Sequence, residues 1–494
     1  MGININQKLH EAIVLHQVGK FEEAEISYKK AIEFNPNNSE IYNNLGATQQ
    51  ALDKLEDSVR SFKKAIELKP NYHQAFNNLG LLLHQLKKFE EAEISYKKAI
   101  EFNPNNSEIY NNLGATQQAL DKLEDSVRSF KKAIELKPNY HQAFNNLGLL
   151  LHQLKKFEEA EISYKKAIEF KPNYYQAYNN LAYTMKFLSR FDEAIINYNK
   201  VIELNPIFKK PILERGKILF EMGEFESSLK DFDACNNKDS SVFALRALYA
   251  LRRIDEVYQR IEKDSELVDE NLEVAAFCSF LSIKEKKVTA YKFCNNPMDF
   301  IKFSNISSHF TNSNLFINEV IDELHSIRTK KEPIDKSTIN GVQSIINIFK
   351  NPTEKLNSLK SIILNEIDLY YLKFKRENCT YIKKWPLEKN LYGWHVILKQ
   401  YGYQNAHIHP AGWLSGVIYL KVVPSFEKNE GAIEFGLSGR DYSDSSLPKF
   451  IYQPKEGDII LFPSSLHHKT IPFTSDTDRI TISFDLMPNS KKFV

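Results

Sequence analysis

The chain has 494 residues, too many for a single hydrophobic core, and its 42% apolar and 26% charged residues are those of an ordinary globular protein. With 65 basic residues against 63 acidic the net charge is +2, which gives no electrostatic footprint for nucleic acid or for an anionic membrane as the main partner. No apolar stretch of about 18 or more residues occurs, and Met1-Gly2-Ile3-Asn4 opens neither a basic nor an apolar leader, so a cytoplasmic protein without membrane span or signal peptide is expected.

From the N-terminus the first signal is repetition. The segment Phe21–Leu86 recurs unchanged as Phe89–Leu154, a shift of 68 residues, and a weaker self-similarity runs at 34. Tyr42, Phe76, Tyr110, Phe144 and Tyr178 share one register; Leu45, Leu79, Leu113, Leu147 and Leu181 follow, and then Gly46, Gly80, Gly114, Gly148 and Ala182. Each unit closes with a small residue, an aromatic four positions on and a proline, as in Ala92, Tyr96 and Pro104. These spacings predict two antiparallel helices, with small residues at the close crossing, aromatics filling the gap and proline ending the second helix. The pattern resembles the tetratricopeptide repeat. About six good units run from residue 5 to 208, and a degenerate one from Lys209 to Ser240 keeps Gly216 and Phe232. Residues 1–240 therefore read as an all-α solenoid, and 241–290 as a helical cap or linker.

Asn44, Asn78, Asn112, Asn146 and Asn180 stand in register before the repeat leucines. A side-chain amide both donates and accepts, so a row of them can pair with peptide bonds. The arrangement is similar to the asparagine ladder of the O-linked N-acetylglucosamine transferase superhelix, which implies a protein or peptide partner held in the groove. Bonding within or between neighbouring repeats is the alternative.

Composition changes near residue 291, where Tyr291–Asp299 punctuates the helical run. Helices are predicted near Asn314–Arg328 and Glu354–Arg376, with a shorter one at Thr338–Phe349. Thereafter the period switches to two, and strands are predicted at Gly393–Gln400, Leu414–Val422, Gly431–Phe435, Asp458–Phe462 and Arg479–Leu486. Residues 291–494 thus read as an α+β domain whose strands form a barrel or sandwich. Cys235, Cys278, Cys294 and Cys379 lie far apart in sequence, and buried small hydrophobes rather than disulfides are expected.

Two histidine clusters flank strands: His407-Ile408-His409-Pro410 before one, His467-His468 after another. In an extended segment residues i and i+2 face the same way, so His407 and His409 can converge, and His468, 59 residues beyond His409, can close a set of three on a metal. Imidazole suits Fe, Zn, Cu and Ni alike, so ligand type does not name the ion. In the last strand Arg479, Thr481, Ser483 and Asp485 share one face. Arg479 follows the last histidine by eleven residues, one strand away in a meander, and its planar fork suits a carboxylate; pairing at the surface with Asp476 or Asp478 is the alternative.

The runs Gly412–Leu420, Gly431–Phe435, Gly457–Ser464 and Asp478–Asp485 resemble the 2-oxoglutarate/Fe(II) oxygenase domains found behind such repeats, over roughly residues 295 to 490. The resemblance implies a double-stranded β-helix, a jelly-roll or cupin-like barrel, with Fe(II), 2-oxoglutarate as co-substrate and O2. It implies His407 and His468 as iron ligands and Arg479 as the anchor for the far carboxylate of 2-oxoglutarate, with Thr481 assisting it and Tyr419 as a second contact. His467 becomes a supporting or structural residue. At His409 the superfamily usually has a carboxylate. Either three imidazoles bind, or His409 is the first ligand and Ala411 marks a vacant position. The reaction implied is hydroxylation of a polypeptide side chain; a scaffold with a non-catalytic barrel and an oxygenase acting on a small molecule are the alternatives.

Overall fold

The computed structural model describes residues 5–263, 271–291, 293–294, 296–310, 312–332, 337–424 and 427–489. Met1–Asn4, and Lys292 and Asn295 of the punctuating segment, lie outside the described residues. The chain divides into two compact units, Met1–Ile218 and Leu219–Val494.

In the first unit α1 (Ile5–Gln17) packs on α2 (Phe21–Phe34), α3 (Ser39–Ala51) on α4 (Leu55–Leu68), and α5 (His73–Gln85) on α6 (Phe89–Phe102). The pairs α7 (Ser107–Ala119) and α8 (Leu123–Leu136), α9 (His141–Gln153) and α10 (Phe157–Phe170), and α11 (Tyr175–Phe187) and α12 (Phe191–Leu204) repeat the arrangement. The division between units falls inside α13 (Lys209–Glu221). Each hairpin turns through a left-handed residue, namely Gly19, Asp53, Lys87, Asp121, Lys155, Ser189 and Gly223, with φ between 56° and 82°. The next N–H then returns to the carbonyl five positions back, as in Lys54 to Gln49 at 2.9 Å, so the helix end leaves fewer carbonyls unpaired.

The small residues of the repeat sit under aromatic rings. A Cβ added at Gly114 would lie 2.8 Å from the Phe130 ring, and one at Gly148 2.6 Å from Tyr164. Ala182, in the same register, lies with Tyr198 in one buried cluster, so a methyl group fits once the ring shifts. Gly114→Val is therefore expected to destabilise the solenoid by about 2 kcal/mol through overpacking, and Gly114→Ala by less than about 1 kcal/mol. Thermal unfolding followed at the helical circular-dichroism band checks the difference.

The second unit opens with α14 (Phe225–Cys235), α15 (Lys238–Ala250), α16 (Ile254–Lys263) and α17 (Leu272–Lys284). Strands follow: β1 (Lys302–Asn305), then, after α18 (Ser313–His325), β2 (Thr329–Lys331) and β3 (Thr338–Ser344). Next come α19 (Glu354–Phe374), α20 (Thr380–Lys383), β4 (Leu391–His407), β5 (Leu414–Lys421), β6 (Ile433–Gly436), β7 (Phe450–Tyr452), β8 (Asp458–Pro463), β9 (His467–Thr470) and β10 (Arg479–Leu486). Every pairing is antiparallel, in the order β1-β8-β5-β10-β4-β9-β6-β7, with β2 and β3 added through β4. The sheet curls until its ends meet, Phe303 of β1 lying 4.6 Å from Tyr452 of β7 between ring centroids. This is an antiparallel curled sheet of jelly-roll type.

Three expectations need correction. The short helix expected at Thr338–Phe349 is strand β3, which pairs with β4 and is broken by a register shift at Asn340, whose φ is 48°. The strand expected at Gly393–Gln400 runs on to His407, because a bulge with Tyr401 at φ 61° carries it from one group of partners to the next. His467 and His468 follow a strand, β8, as expected, and themselves open β9. Finally, β9 and β10 are not neighbours in a meander, since β4 lies between them. Among the described residues no helix is long and apolar enough to cross a membrane.

Candidate metal centre

The long strand β4 brings the histidines together. It ends at His407, directly opposite His468 of β9, so the two imidazoles are cross-strand neighbours with ring centroids 4.3 Å apart. His409 lies two residues beyond the strand, its N–H donating to the Ser464 carbonyl at 3.0 Å, and its ring turns back to 5.0 Å from that of His468. One ligand atom from each of the three lies within 4.8 Å of the others. Ala411 is exposed.

The outer ring nitrogens fix the tautomers. His407 Nδ1 faces the Asn405 carbonyl at 2.7 Å, His409 Nδ1 faces Asp485 Oδ1 at 2.6 Å, and His468 Nδ1 faces the Leu466 carbonyl at 3.2 Å. Carbonyl and carboxylate oxygens only accept, so each Nδ1 holds the proton and each Nε2 keeps its lone pair. His407 Nε2 and His409 Nε2 face one another at 3.2 Å. Two lone pairs so placed repel unless a proton or a cation lies between them. Burial first, and then the two neighbouring imidazoles, holds the His468 pKa well below the ordinary range, which keeps it neutral and suited to a metal.

Asp485 is the residue that sequence reasoning missed. Alternation placed it on the inner face of β10, but nothing in the sequence tied it to His409. Besides His409, it accepts a hydrogen bond from Ser415 Oγ at 2.7 Å, and Ser415 in turn contacts Ser464 Oγ at 2.8 Å. Gly412 makes room for this network, since a Cβ there would stand 2.8 Å from both Asp485 Cγ and Ser464 Oγ. A carboxylate behind a histidine orients the ring and raises its basicity. Asp485→Leu is expected to weaken divalent-metal binding about 10- to 100-fold, with Asp485→Asn between it and the wild type. Anaerobic titration with Fe(II) or Co(II) measures this directly.

Arg479 and Tyr419 line the same pocket as the three histidines, Trp394 and Ser483. Arg479 is 2% exposed, its guanidinium carbon 4.9 Å from the Tyr419 ring centre, and neither its Nε nor the Tyr419 hydroxyl has a hydrogen-bond partner. The surface alternative does not hold, because Asp478 pairs with Lys399 at 2.5 Å and no carboxylate among the described residues pairs with Arg479. A buried guanidinium without an anion is costly. Thr481 is buried opposite Tyr419 in the β5 register but is absent from the residues that line the cavity, where Ser483 supplies the hydroxyl.

A second pocket, of ≈ 210 Å³, is lined by His467 and His468 of β9 and by the loop of residues 437–449. That loop is anchored by Tyr442, packed against Phe277 and Phe280 of α17, by Asp441, 3.0 Å from Arg246 of α15, and by Asp444 with Lys284. His467 turns to this side, edge-on to Tyr442 at 5.7 Å, its pKa pushed down to about 3 by burial and by Arg246. In β4, His395 is fully buried with both ring nitrogens unpartnered, and burial pushes its pKa down to about 4. The unfolded chain binds a proton at the ordinary value of 6.5 and the folded chain does not. The stability this group contributes is therefore full above 6.5 and is lost as pH falls towards 4, by about 3 kcal/mol in all. His395→Leu is expected to flatten urea stability of the metal-free protein over that window by about 1.4 kcal/mol per pH unit. Trp385, Trp394 and Trp413 all lie in this unit and report its unfolding.

In the first unit Asn78, Asn112, Asn146 and Asn180 each donate to the first asparagine of the preceding repeat, at 3.0, 3.5, 3.0 and 2.9 Å. Asn44 accepts from its neighbour Asn43 at 3.4 Å. All five are half-buried. Inter-repeat bonding thus takes one N–H from each of four of them, leaving a second N–H.

Comparison with known proteins bears on both units. The family described as "Putative 2OG-Fe(II) oxygenase" matches residues 392–485. Tetratricopeptide-repeat families match residues 73–106 and 141–174, residues 14–53, 51–87 and 119–155, and residues 95–128 and 163–196. Among solved structures, YrrB, described as a TPR protein with an unusual peptide-binding site, is 21% identical, with a TM-score of 0.33 over 40% of this chain and 97% of its own. MamA is 23% identical, with a TM-score of 0.31 over 33% of this chain and 95% of its own. A tetratricopeptide repeat protein from Parabacteroides merdae is 20% identical, with a TM-score of 0.40 over 49% and 97%. No curated protein matches the chain. The chain is thus a tetratricopeptide-repeat protein that carries, at residues 392–485, a domain of the 2-oxoglutarate/Fe(II) oxygenase family.

Proposed function

We propose that the chain is an Fe(II)- and 2-oxoglutarate-dependent hydroxylase acting on a polypeptide that the repeats bind. The observation that carries this reading is the shared pocket, lined by three imidazoles and by a buried arginine that faces no anion. His407, His409 and His468 would hold Fe(II) through Nε2. The donor set fits, because three nitrogen ligands on one side leave positions open on the other. Bound iron would supply the activation of O2, with 2-oxoglutarate consumed to succinate and CO2 and an oxygen atom delivered to a substrate C–H bond. Arg479 takes the far carboxylate of 2-oxoglutarate through its planar fork, and the Tyr419 hydroxyl donates to the same group. Asp485 supplies, one bond behind His409, the negative charge that the ligand set itself lacks.

The cavity between β9 and the 437–449 loop is the side from which a substrate residue reaches His468. In the solenoid, the remaining amide N–H of Asn78, Asn112, Asn146 and Asn180, together with Asn44, would pair with the backbone of an extended peptide. Purified protein incubated with Fe(II), 2-oxoglutarate and captured peptides tests the reading. Succinate together with a one-oxygen mass gain in a peptide supports it. Succinate with small-molecule substrates alone points to the second reading, and no succinate under any condition leaves only a scaffold.

A further inference from the structure

The four cysteines are free thiols, and two of them meet in space although 85 residues apart. Cys294 is 3% exposed, whereas Cys379, which precedes α20, is half-buried. The Tyr381 N–H donates to the Phe293 carbonyl at 2.9 Å and the two rings lie 5.7 Å apart, so the segments carrying the cysteines are joined in register. Cys294 is held from its other side by Ser279 Oγ, which donates to its carbonyl at 3.0 Å. The pairing of these segments sets the Cys294 and Cys379 thiols beside each other.

We infer that Cys294 and Cys379 form an oxidisable dithiol, a modification site on the outer wall of the barrel unit that takes low-molecular-weight disulfides as its oxidant. The two cysteines have different parts. Cys379 is the accessible attacking group: the neighbouring Cys294 thiol, together with the N–H groups of Ile382 and Tyr381, lowers its pKa to about 7 against the opposing effect of burial. The thiolate is the nucleophile, so a sizeable fraction is reactive at neutral pH. Cys294, whose pKa burial pushes up, stays protonated until Cys379 has reacted.

In the first step the Cys379 thiolate attacks one sulfur of the oxidant, forming a mixed disulfide and releasing one small thiolate. In the second, Cys294 sulfur displaces the remaining small thiolate, its proton passing to that leaving group. Two protein thiols are oxidised to one disulfide, and the oxidant is reduced to two thiols. Cys235 and Cys278 have no part in this; Cys278 is buried, with its pKa raised to about 12. Neither cysteine is among the residues that line the histidine pocket, and the reaction does not depend on metal.

The test exposes the full-length protein to glutathione disulfide, quenches in acid, alkylates free thiols and maps peptides without reduction. The expected product is one disulfide joining the peptides of Cys294 and Cys379, with Cys235 and Cys278 alkylated, at a rate half-maximal near pH 7. Cys294→Ser is expected to stop at a stable glutathione adduct on Cys379, and Cys379→Ser to leave Cys294 unreacted. The inference is overturned if the wild type keeps both thiols alkylatable, halts at the mixed disulfide, or oxidises Cys235 or Cys278 first. The wild-type map decides the question even if a serine variant folds poorly.

Discussion

Replacing His468 with alanine is expected to reduce 2-oxoglutarate-dependent succinate formation to background while the barrel unit stays folded. His468 is the imidazole that β9 supplies across from His407, and without it two ligands remain on one short stretch of chain. The lost side chain is buried and held through its outer nitrogen only, by the Leu466 carbonyl at 3.2 Å. Its removal should therefore cost no more than about 1–2 kcal/mol of stability, typical of an ordinary substitution. His467→Ala is the matched control, one residue away on the opposite face of the same strand. That variant loses packing against Tyr442 and should lower stability without abolishing turnover. Succinate release and tryptophan-monitored urea unfolding, measured side by side, separate the two effects.

The second large effect is at Arg479. Truncation of one partner in a buried charge pair costs about 2–5 kcal/mol, so Arg479→Ala is expected to raise the KM for 2-oxoglutarate at least about 30-fold. Arg479→Lys should fall between, because an ammonium group offers a point charge rather than a fork. Stability should move the other way. In the protein without co-substrate the guanidinium is 2% exposed and faces no carboxylate, a costly state for a charge. Arg479→Met fills similar volume without the charge and is expected to unfold at higher urea in the absence of 2-oxoglutarate. If Arg479 were a structural residue, the same variant would be destabilised and the KM unmoved.

Much of this was legible in the sequence because the informative periods are short. The repeat of 34 residues placed every glycine beneath its aromatic ring, and the alternation in Arg479–Leu486 placed Arg479, Ser483 and Asp485 on the inner face. What failed was local competition between periods. In Thr338–Phe349 the apolar residues Ile339, Val342, Ile346 and Phe349 fall at helical intervals, yet the open edge of β4 provides pairing partners that no local pattern records. Loop closure hid the rest. That β4 would run on to His407, and thereby separate β9 from β10, depends on a bulge at Tyr401. The contact between Asp485 and His409 joins positions 76 residues apart, and that of Cys294 with Cys379 joins positions 85 apart. Such contacts follow from the fold and not from any spacing in the chain.

An anaerobic structure of the protein soaked with Fe(II) and 2-oxoglutarate reaches the main proposal most directly. The expected result is one iron bound by the Nε2 atoms of residues 407, 409 and 468, with the diacid extending from it until its far end meets the Arg479 guanidinium. Iron held elsewhere, or a co-substrate that leaves that guanidinium without an anion, would contradict the account and leave a peptide-binding solenoid joined to an inert barrel.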